Sequence, residues 1–552
     1  MRSPRTETPV RSIAARAFAR LLDTEGNYRV QRGLALEHLR VPTLAAVGED
    51  AAFAKAMLAE LLVAKPANEE DVLTAGYLEH TFRSSITRYE NELLGFEVTP
   101  YMGGYMLGAI LQYAFVAFSG NPATYVSLAA DYRDIVRERG ARLKRQQDAG
   151  ILLPVPAIAG ARTAMLASKR HALEVIQTGA PSEARGAKVF DEVGKAYDDL
   201  LDQLAENYVA QASTTVGLNQ YPGGASYYEH LVREHTASSM TPLEVHELGL
   251  SQVAELRENM ANMRTQIGFV GSEEEFHQLL KTDPRIHATE PAEVDAFFMR
   301  HMRALEPKLS SYFSVLPRAH YGVKRLDQSK EAGMTYGYYE PPSPTEPAGY
   351  YRWNGSNLEQ KSMLTYASLI FHELAPGHHF HIARQRENAA LPDIRQEGLA
   401  LGAFNEGWAE YAAGLGWEMG LYTEPLDAYG RLAKERHTAQ RLVVDTGLNL
   451  LGWGLEKAAA YMRANTTYSD AQITSEVLRY STDLPGQALA YRAGFIEFSR
   501  VRSWAENELA DRFDIREFHE EVLSHGALPF PVIDAHIRRW ANRVLAGDGK
   551  AQ

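Results

Sequence analysis

The chain has 552 residues, 45% of them hydrophobic and 23% charged, and a formal net charge of −13. These are the proportions of an ordinary globular protein with room for two or more subdomains, and the acidic balance argues against a nucleic-acid partner, which would want a basic face. There is no cysteine, so a disulfide framework is excluded and any metal site must be built from imidazole and carboxylate.

No apolar signal-peptide core follows residues 1–9. Apolar positions at helical spacing predict helices over 12–23 and 50–64. The apolar stretch 106–119 includes Gln112, is too short to span a bilayer, and reads as a buried helix. Together these features predict a cytoplasmic protein with no membrane partner. Ser119-Gly120-Asn121-Pro122 is the first clear break. A charged helix follows over 123–150, and its cluster of Arg133, Arg137, Arg139, Arg142, Lys144 and Arg145 reads as a solvated face. Pro154 and Pro156 mark a turn over 151–158, and helices resume over 161–212.

The Gly/Pro run 220–224 marks a loop. It divides an N-terminal helical region, 1–220, expected to form part of a cleft, from a catalytic region, 221–552. Helices are predicted over 241–267 and 273–309. Strand-like material lies between 314 and 353, with aromatic-rich segments at 334–339 and 350–353 separated by proline-rich turns. A helix is predicted from about 358 to 375, with Leu364, Ala367 and Phe371 among its apolar positions, and helices dominate to the C-terminus. The expected fold is mainly α, with a small β-sheet beside the active-site helices and a deep helical cleft.

The most informative run is Phe371-His372-Glu373-Leu374-Ala375-Pro376-Gly377-His378-His379, followed by Phe404-Asn405-Glu406-Gly407-Trp408-Ala409-Glu410. Two imidazoles, an adjacent carboxylate and a later carboxylate are the ingredients of a hydrolytic zinc site. In the common H-E-x-x-H arrangement the histidines sit at i and i+4 on one helix face. Here position i+4 from His372 is Pro376. On a straight helix, i+7 lies about 10 Å along the axis, too far to share an ion. Pro376 breaks the helical hydrogen bonding and Gly377 permits an unusual backbone angle, so a turn there can bring His378 back under His372. His372 and His378 are therefore the preferred ligands, with His379 the rival, and Glu373 is the candidate general base. Glu406 and Glu410, at i and i+4, are both candidates for the third ligand. A duller reading makes His372 a core histidine, Pro-Gly a helix stop, and His378, His379 and His381 a polar surface cluster.

These phrases resemble a family known as domain of unknown function 885, which is similar to the gluzincin type of zinc metallopeptidase. Its phrase H-E-x-x-P-G-H-H matches His372–His379 without a gap, and its E-G-W-A matches Glu406-Gly407-Trp408-Ala409, which ranks Glu406 above Glu410. R-L-V-V-D-T-G matches Arg441–Gly447, P-G-Q-A-L-A-Y matches Pro485–Tyr491, and F-D-x-R-x-F-H matches Phe513–His519. The resemblance is dense from about 350 to 528. It implies a gluzincin-like architecture and one Zn²⁺ per chain on His372, His378 and Glu406. The family commonly has His where this chain has Asn449, so either that His is dispensable or the substrate differs. Arg492 stands where Lys is frequent.

Tyr491 and Arg492 are the leading candidates to steady an oxyanion or a substrate carboxylate, with Tyr480, His437 and Tyr351 behind them. Asp445 could orient a ligand imidazole or pair with Arg441. The resemblance also suggests that Asn354 binds substrate backbone from a strand edge. The expected activity is metal-dependent hydrolysis of peptide or amide bonds in short peptides or a small peptide-like metabolite. Another divalent metal, such as Fe(II), Mn or Co, would suit the same donors. The alternative is a non-catalytic binding protein on a peptidase scaffold.

Overall fold

Helix starts are set by short polar side chains and prolines. Thr8, Asn68, Asn121 and Thr241 each accept a hydrogen bond from a backbone N–H in the first turn, and Thr241 forms a reciprocal capping box with Glu244. The computed structural model describes residues 8–116, 118–331, 337–343, 346–397 and 401–547. The protein is mainly helical with one three-stranded sheet.

The helices expected at 12–23 and 50–64 run over Pro9–Thr24 and Leu44–Val63. Pro156 begins a helix at Val155–Thr178 instead of delaying it, because a first-turn residue needs no backbone N–H. The stretch expected helical over 161–212 is three helices, with breaks at 179–187 and 204–205. The apolar stretch 106–119 is buried on one face only. Met102–Leu111 continues into a wide turn, Gln112–Val116, with Leu107, Leu111, Ala114 and Phe115 inside but Tyr105 67% and Met106 48% exposed. Arg137 and Lys144 of Pro122–Asp148 are exposed, as a solvated face requires, but three arginines of the same cluster depart from it. Arg139 is buried and donates to the carbonyls of Glu97 and Gly103, and Arg142 and Arg145 pair with Glu92 and Glu97.

Two large cores organise the chain. One is formed by residues 39–208 with Leu478. The other joins the first helices, Val10 to Phe82, to residues 237–541. The cores therefore do not divide at residue 220. The first 90 residues brace the C-terminal region, and the bundle over 94–204 stands beside it.

The sheet has the order β1-β3-β2, with β1 (Tyr321–Arg325) parallel and β2 (Tyr338–Glu340) antiparallel to β3 (Gly349–Trp353). β3 alternates buried and half-buried residues, with Tyr351 and Trp353 facing the core. Met334–Tyr336, expected as strand, lie outside the described residues. The helix expected at 358–375 is confined to a short 3₁₀ turn, Leu358–Gln360, and Tyr366–Glu373. Between them the backbone is extended, and Met363 N donates to Ile286 O at 2.7 Å.

At two places a helix touches other backbone directly. Pro425–Asn449, buried along almost its whole length, runs through the middle of the C-terminal region. A Cβ on Gly430 would fall 1.8 Å from Leu364 O. Gly402–Glu418 crosses Ala490–Leu509 at Gly407 and Gly494, where a Cβ on Gly494 would lie 2.2 Å from Ala403 O and 2.6 Å from Gly407 Cα. Backbone atoms cannot step aside as a flexible side chain can. Gly494→Ala is therefore expected to force these helices apart and lower stability by about 1–3 kcal/mol, read as a reduced urea midpoint with unchanged slope; an unchanged midpoint would show that the crossing has slack.

Candidate metal centre

The first ligand helix, Tyr366–Glu373, ends because Leu374 leaves helical angles (φ −104°, ψ −107°). The Ala375–Pro376 peptide is cis. Gly377, with ψ −124°, precedes the second ligand helix, His378–Glu387. A Cβ on Gly377 would sit 1.9 Å from the carbonyl oxygen of His372, so the chain folds back directly onto the first histidine and only glycine fits. Trp408 Nε1 donates to Pro376 O at 2.9 Å, tying the bend to Gly402–Glu418. The result is that the His372 and His378 rings meet at 84° with centroids 4.7 Å apart.

Glu406 closes a triangle with them. Its Oε2 lies 3.4 Å from His372 Nε2 and 3.4 Å from His378 Nε2, and one ligand atom from each of the three residues falls within 4.8 Å of the others. Zinc bonds of ~2.0–2.1 Å in a tetrahedron imply ligand-to-ligand edges of about 3.4 Å. The donor set and the spacing thus both fit a single divalent ion. His372 is buried, while His378 and Glu406 keep 13% and 22% of their side chains exposed, leaving a side open to solvent.

Each ligand imidazole has a partner behind it. Glu410 Oε1 is 3.2 Å from His372 Nδ1, although the two are too obliquely aligned for a formed hydrogen bond and both atoms are otherwise unpaired. Behind His378, Nδ1 is 3.3 Å from Nε2 of the buried His381. Glu410 is in turn gripped by the fully buried Arg431 at 2.9 Å, Arg431 by Glu435 at 2.9 Å, and Glu435 by Arg492 at 2.9 Å. The sequence reading overlooked His381, Arg431 and Glu435 in these roles. The i+3 spacing from His378 to His381 and the i+4 spacing from Arg431 to Glu435 were the available signals, but neither says what lies across from it.

His379 points away from the triad. Its ring contacts Tyr339 Oη of β2 and the carbonyl of Ala319, both at 2.9 Å, and burial lowers its pKa to about 4. It docks the sheet on the second ligand helix. Tyr491 is beside the triad, its ring parallel to that of His372 with centroids 6.3 Å apart. Burial first, then the charge of Glu406, raises its pKa and keeps the phenol protonated.

Other candidates are held elsewhere. Arg492 does not reach the triad, because Glu435 and Gln252 take its guanidinium; it supports His372 at the end of the Glu410–Arg431–Glu435 chain. Asp445 neither orients a ligand nor pairs with Arg441. It accepts from Tyr228 Oη at 2.6 Å and from Gly486 N at 3.0 Å, and burial raises its pKa to about 7. Asn449 accepts from Leu218 N and donates to the carbonyls of Asp445 and Tyr480, a fully structural position. Asn354 lies just beyond β3 and binds the Glu331 carbonyl and Ser356. Tyr351 packs edge-on against Phe298, His437 lies against Tyr468, and Tyr480 accepts from Arg441 at 2.8 Å.

A second His/Glu group, Glu521, His525 and His536, also clusters. Its His536 Nε2 to Glu521 distance is 2.8 Å, too short for two ligands of one tetrahedral ion, and Arg543 shares the same carboxylate at 3.4 Å. Such a cluster suits a proton better than a metal.

The chain belongs to the family described as bacterial protein of unknown function (DUF885). The family profile matches residues 28–537. A "putative lipoprotein" of Colwellia psychrerythraea has a similar fold at 22% identity, with a TM-score of 0.86 over 97% of this chain and 99% of that one. A "putative lipoprotein of unknown function" of Shewanella oneidensis is also similar, at 16% identity and TM-score 0.75 over 95% and 99% of the two chains. No curated protein matches the sequence. Among the described residues, no helix is long and apolar enough to cross a membrane.

Without a bound cation, burial disfavours charge on His372, but Glu406 and Glu410 outweigh it and raise its pKa to about 9. That proton stabilises the metal-free fold below about pH 6.5, and the contribution is lost as pH rises through about 9. Ligation needs the same imidazole deprotonated. Apparent zinc affinity, measured by chelator competition, should therefore climb with pH by up to about tenfold per unit and level off near pH 9; a flat profile would contradict the assignment of His372. In the same assay, Glu410→Gln should weaken binding by about 10- to 100-fold, and wild-type affinity in that variant would remove Glu410 from the centre.

Proposed function

We propose that the protein is a metal-dependent hydrolase of peptide or amide bonds in short peptides or a small peptide-like metabolite, with a gluzincin-like catalytic region. The observation that carries this reading is the His372–His378–Glu406 triangle at tetrahedral-edge spacing, with Glu373 next in sequence to the first ligand. A divalent ion there, zinc being the first choice for two imidazoles and a carboxylate, supplies a polarised water of lowered pKa and a Lewis acid for the carbonyl.

The chain's own residues do the rest. Glu373 ends the first ligand helix with its side chain partly exposed. Its carboxylate takes the proton from the attacking water and delivers it to the leaving nitrogen. Tyr491, kept protonated, donates a hydrogen bond to the developing oxyanion from the other side of His372. Arg492 acts at a distance, by fixing Glu435 and through it Arg431 and Glu410. β2 is an edge of the sheet and is anchored to the second ligand helix through Tyr339 and His379, a suitable rail for an extended substrate.

The feature that favours the alternative, a non-catalytic binder, is Asn449, where the family commonly has His. Its side chain is occupied with backbone groups, so the position takes nothing from the triad. We place the protein in the cytoplasm, with neither nucleic acid nor membrane as partner. Fractionation tests this, and recovery in the membrane fraction is the outcome that the neighbours' descriptions would suggest. Glu373→Gln should retain one zinc per chain while hydrolysis of N- and C-blocked short peptides falls by about 10²- to 10⁴-fold; full turnover in that variant would rule out Glu373 as the base.

A further inference from the structure

Two arginines beside the triad have no role in the chemistry above. Arg441 comes from the long helix Pro425–Asn449, and Arg479 opens the wide turn Arg479–Asp483. The Arg441 guanidinium lies 5.0 Å from the centroid of the Tyr491 ring, the same ring that stacks on His372. Both guanidinium groups also sit over Tyr480, at 5.8 and 5.6 Å. A single carboxylate, Glu476, serves them both, at 3.0 Å from Arg441 and 3.4 Å from Arg479. Within ion-pair distance two cations share one anion, which leaves local positive charge next to the centre; the more distant Asp445 and Asp483 also feel Arg479. Burial first, then Arg441, Lys434 and Arg479, lowers the pKa of His437, and both arginines oppose the rise at Tyr491.

The donors are also underused. Arg441 spends Nε on Tyr480 and Nη2 on Glu476, and Nη1 makes no hydrogen bond among the described residues. Arg479, 28% exposed, has only its 3.4 Å ion pair with Glu476 and donates no hydrogen bond among those residues. A guanidinium offers five donors in a fork matched to a carboxylate, and polar groups in such a setting are normally satisfied. The excess is one unit of charge, which suits a carboxylate better than a phosphate dianion.

We propose that Arg441 and Arg479 form a subsite for a substrate carboxylate, either the C-terminal carboxylate or an acidic side chain, beside Tyr491. The 6.3 Å from His372 to the Tyr491 ring and the 5.0 Å from that ring to Arg441 keep the two within about 11 Å, the reach of about three extended residues. The preferred substrates are then short anionic peptides cut a few residues from the carboxylate. This inference rests on the hydrolase reading for its substrate, but not for the anion site itself.

The test uses the zinc-loaded full chain carrying Glu373→Gln and three dansylated probes, followed by fluorescence. The probes are Ala-Ala-Ala as free acid, the same peptide as C-terminal amide, and Ala-Ala-Glu amide. The free acid should bind about 10- to 100-fold tighter than its amide, the gain of one or two charge-assisted hydrogen bonds. If the Ala-Ala-Glu amide recovers that gain, an acidic side chain is accepted; if it does not, the terminus is the group read. Adding Arg479→Gln, a change at a partly exposed position, should erase most of the preference, and Arg441→Gln should do the same where circular dichroism shows it folded. Equal binding of all three probes, or a preference untouched by Arg479→Gln, overturns the subsite. Wild-type hydrolysis is scored separately on the same peptides. If none is cleaved but the charge preference is present and lost in the variant, the subsite stands and the hydrolase reading falls.

Discussion

The functional region depends on one steric constraint, the contact of Gly377 with the carbonyl of His372. A helix that continued through Ala375 would carry His378 to the wrong face and His379 a full two turns away. The chain instead reverses within four residues, at a distance where no side chain fits at position 377. Two rings six positions apart thereby come to lie against each other. Trp408 ties this reversal to the same helix that supplies Glu406, so the bend and the third ligand are placed by one element. The backbone contact of that helix with Ala490–Leu509 at Gly407 and Gly494 then brings Tyr491 to the other side of His372.

The sequence was legible where the information is local. The break at Pro376-Gly377 is a property of those two residues, and the acidic residues of 404–410 announce a second group of donors. The mainly α character with a small aromatic-rich sheet could likewise be read from periodicity. β1 falls inside the strand-like stretch 314–353 but could not be singled out, because Tyr321-Gly322-Val323-Lys324-Arg325 lacks a clear apolar alternation; all five residues are half-buried, and pairing with β3 makes them a strand. Arg139, Arg142 and Arg145 were misread because carboxylate and carbonyl partners of theirs lie at residues 92–103, and spacing along a helix cannot reveal them. Arg492 was assigned to the site together with Tyr491 because both follow the Pro485-Gly486 turn, but adjacent helix positions point about 100° apart. Tyr491 faces His372 while Arg492 turns to Glu435.

Asn449 illustrates a different limit. Chemical type alone suggested a lost catalytic group. Its four hydrogen bonds instead hold Leu218, Asp445 and Tyr480 in register around the turn at Gly486. Hydrogen-bonding capacity is the one property that Asn shares with the neutral form of His, and in this setting capacity is what the fold uses.

Charge alternates along a buried path to the triad: Arg492, Glu435, Arg431, Glu410, His372. Buried ions are tolerated only when each is matched, and removing one member of such a pair typically costs about 3–5 kcal/mol. The two arginines and two glutamates of this chain balance one another, so each buried charge in it is matched. Its last anion, Glu410, also faces His372, and Glu406 faces the other ring nitrogen. In the absence of a cation the pull of Glu406, and after it Glu410, is met by a proton on the imidazole, which is why its pKa rises despite full burial. A divalent ion on Nε2 would answer the same two carboxylates, so the proton and the metal would compete for one place. The buried arginines, remote from any substrate, thus set how strongly the first histidine attracts positive charge.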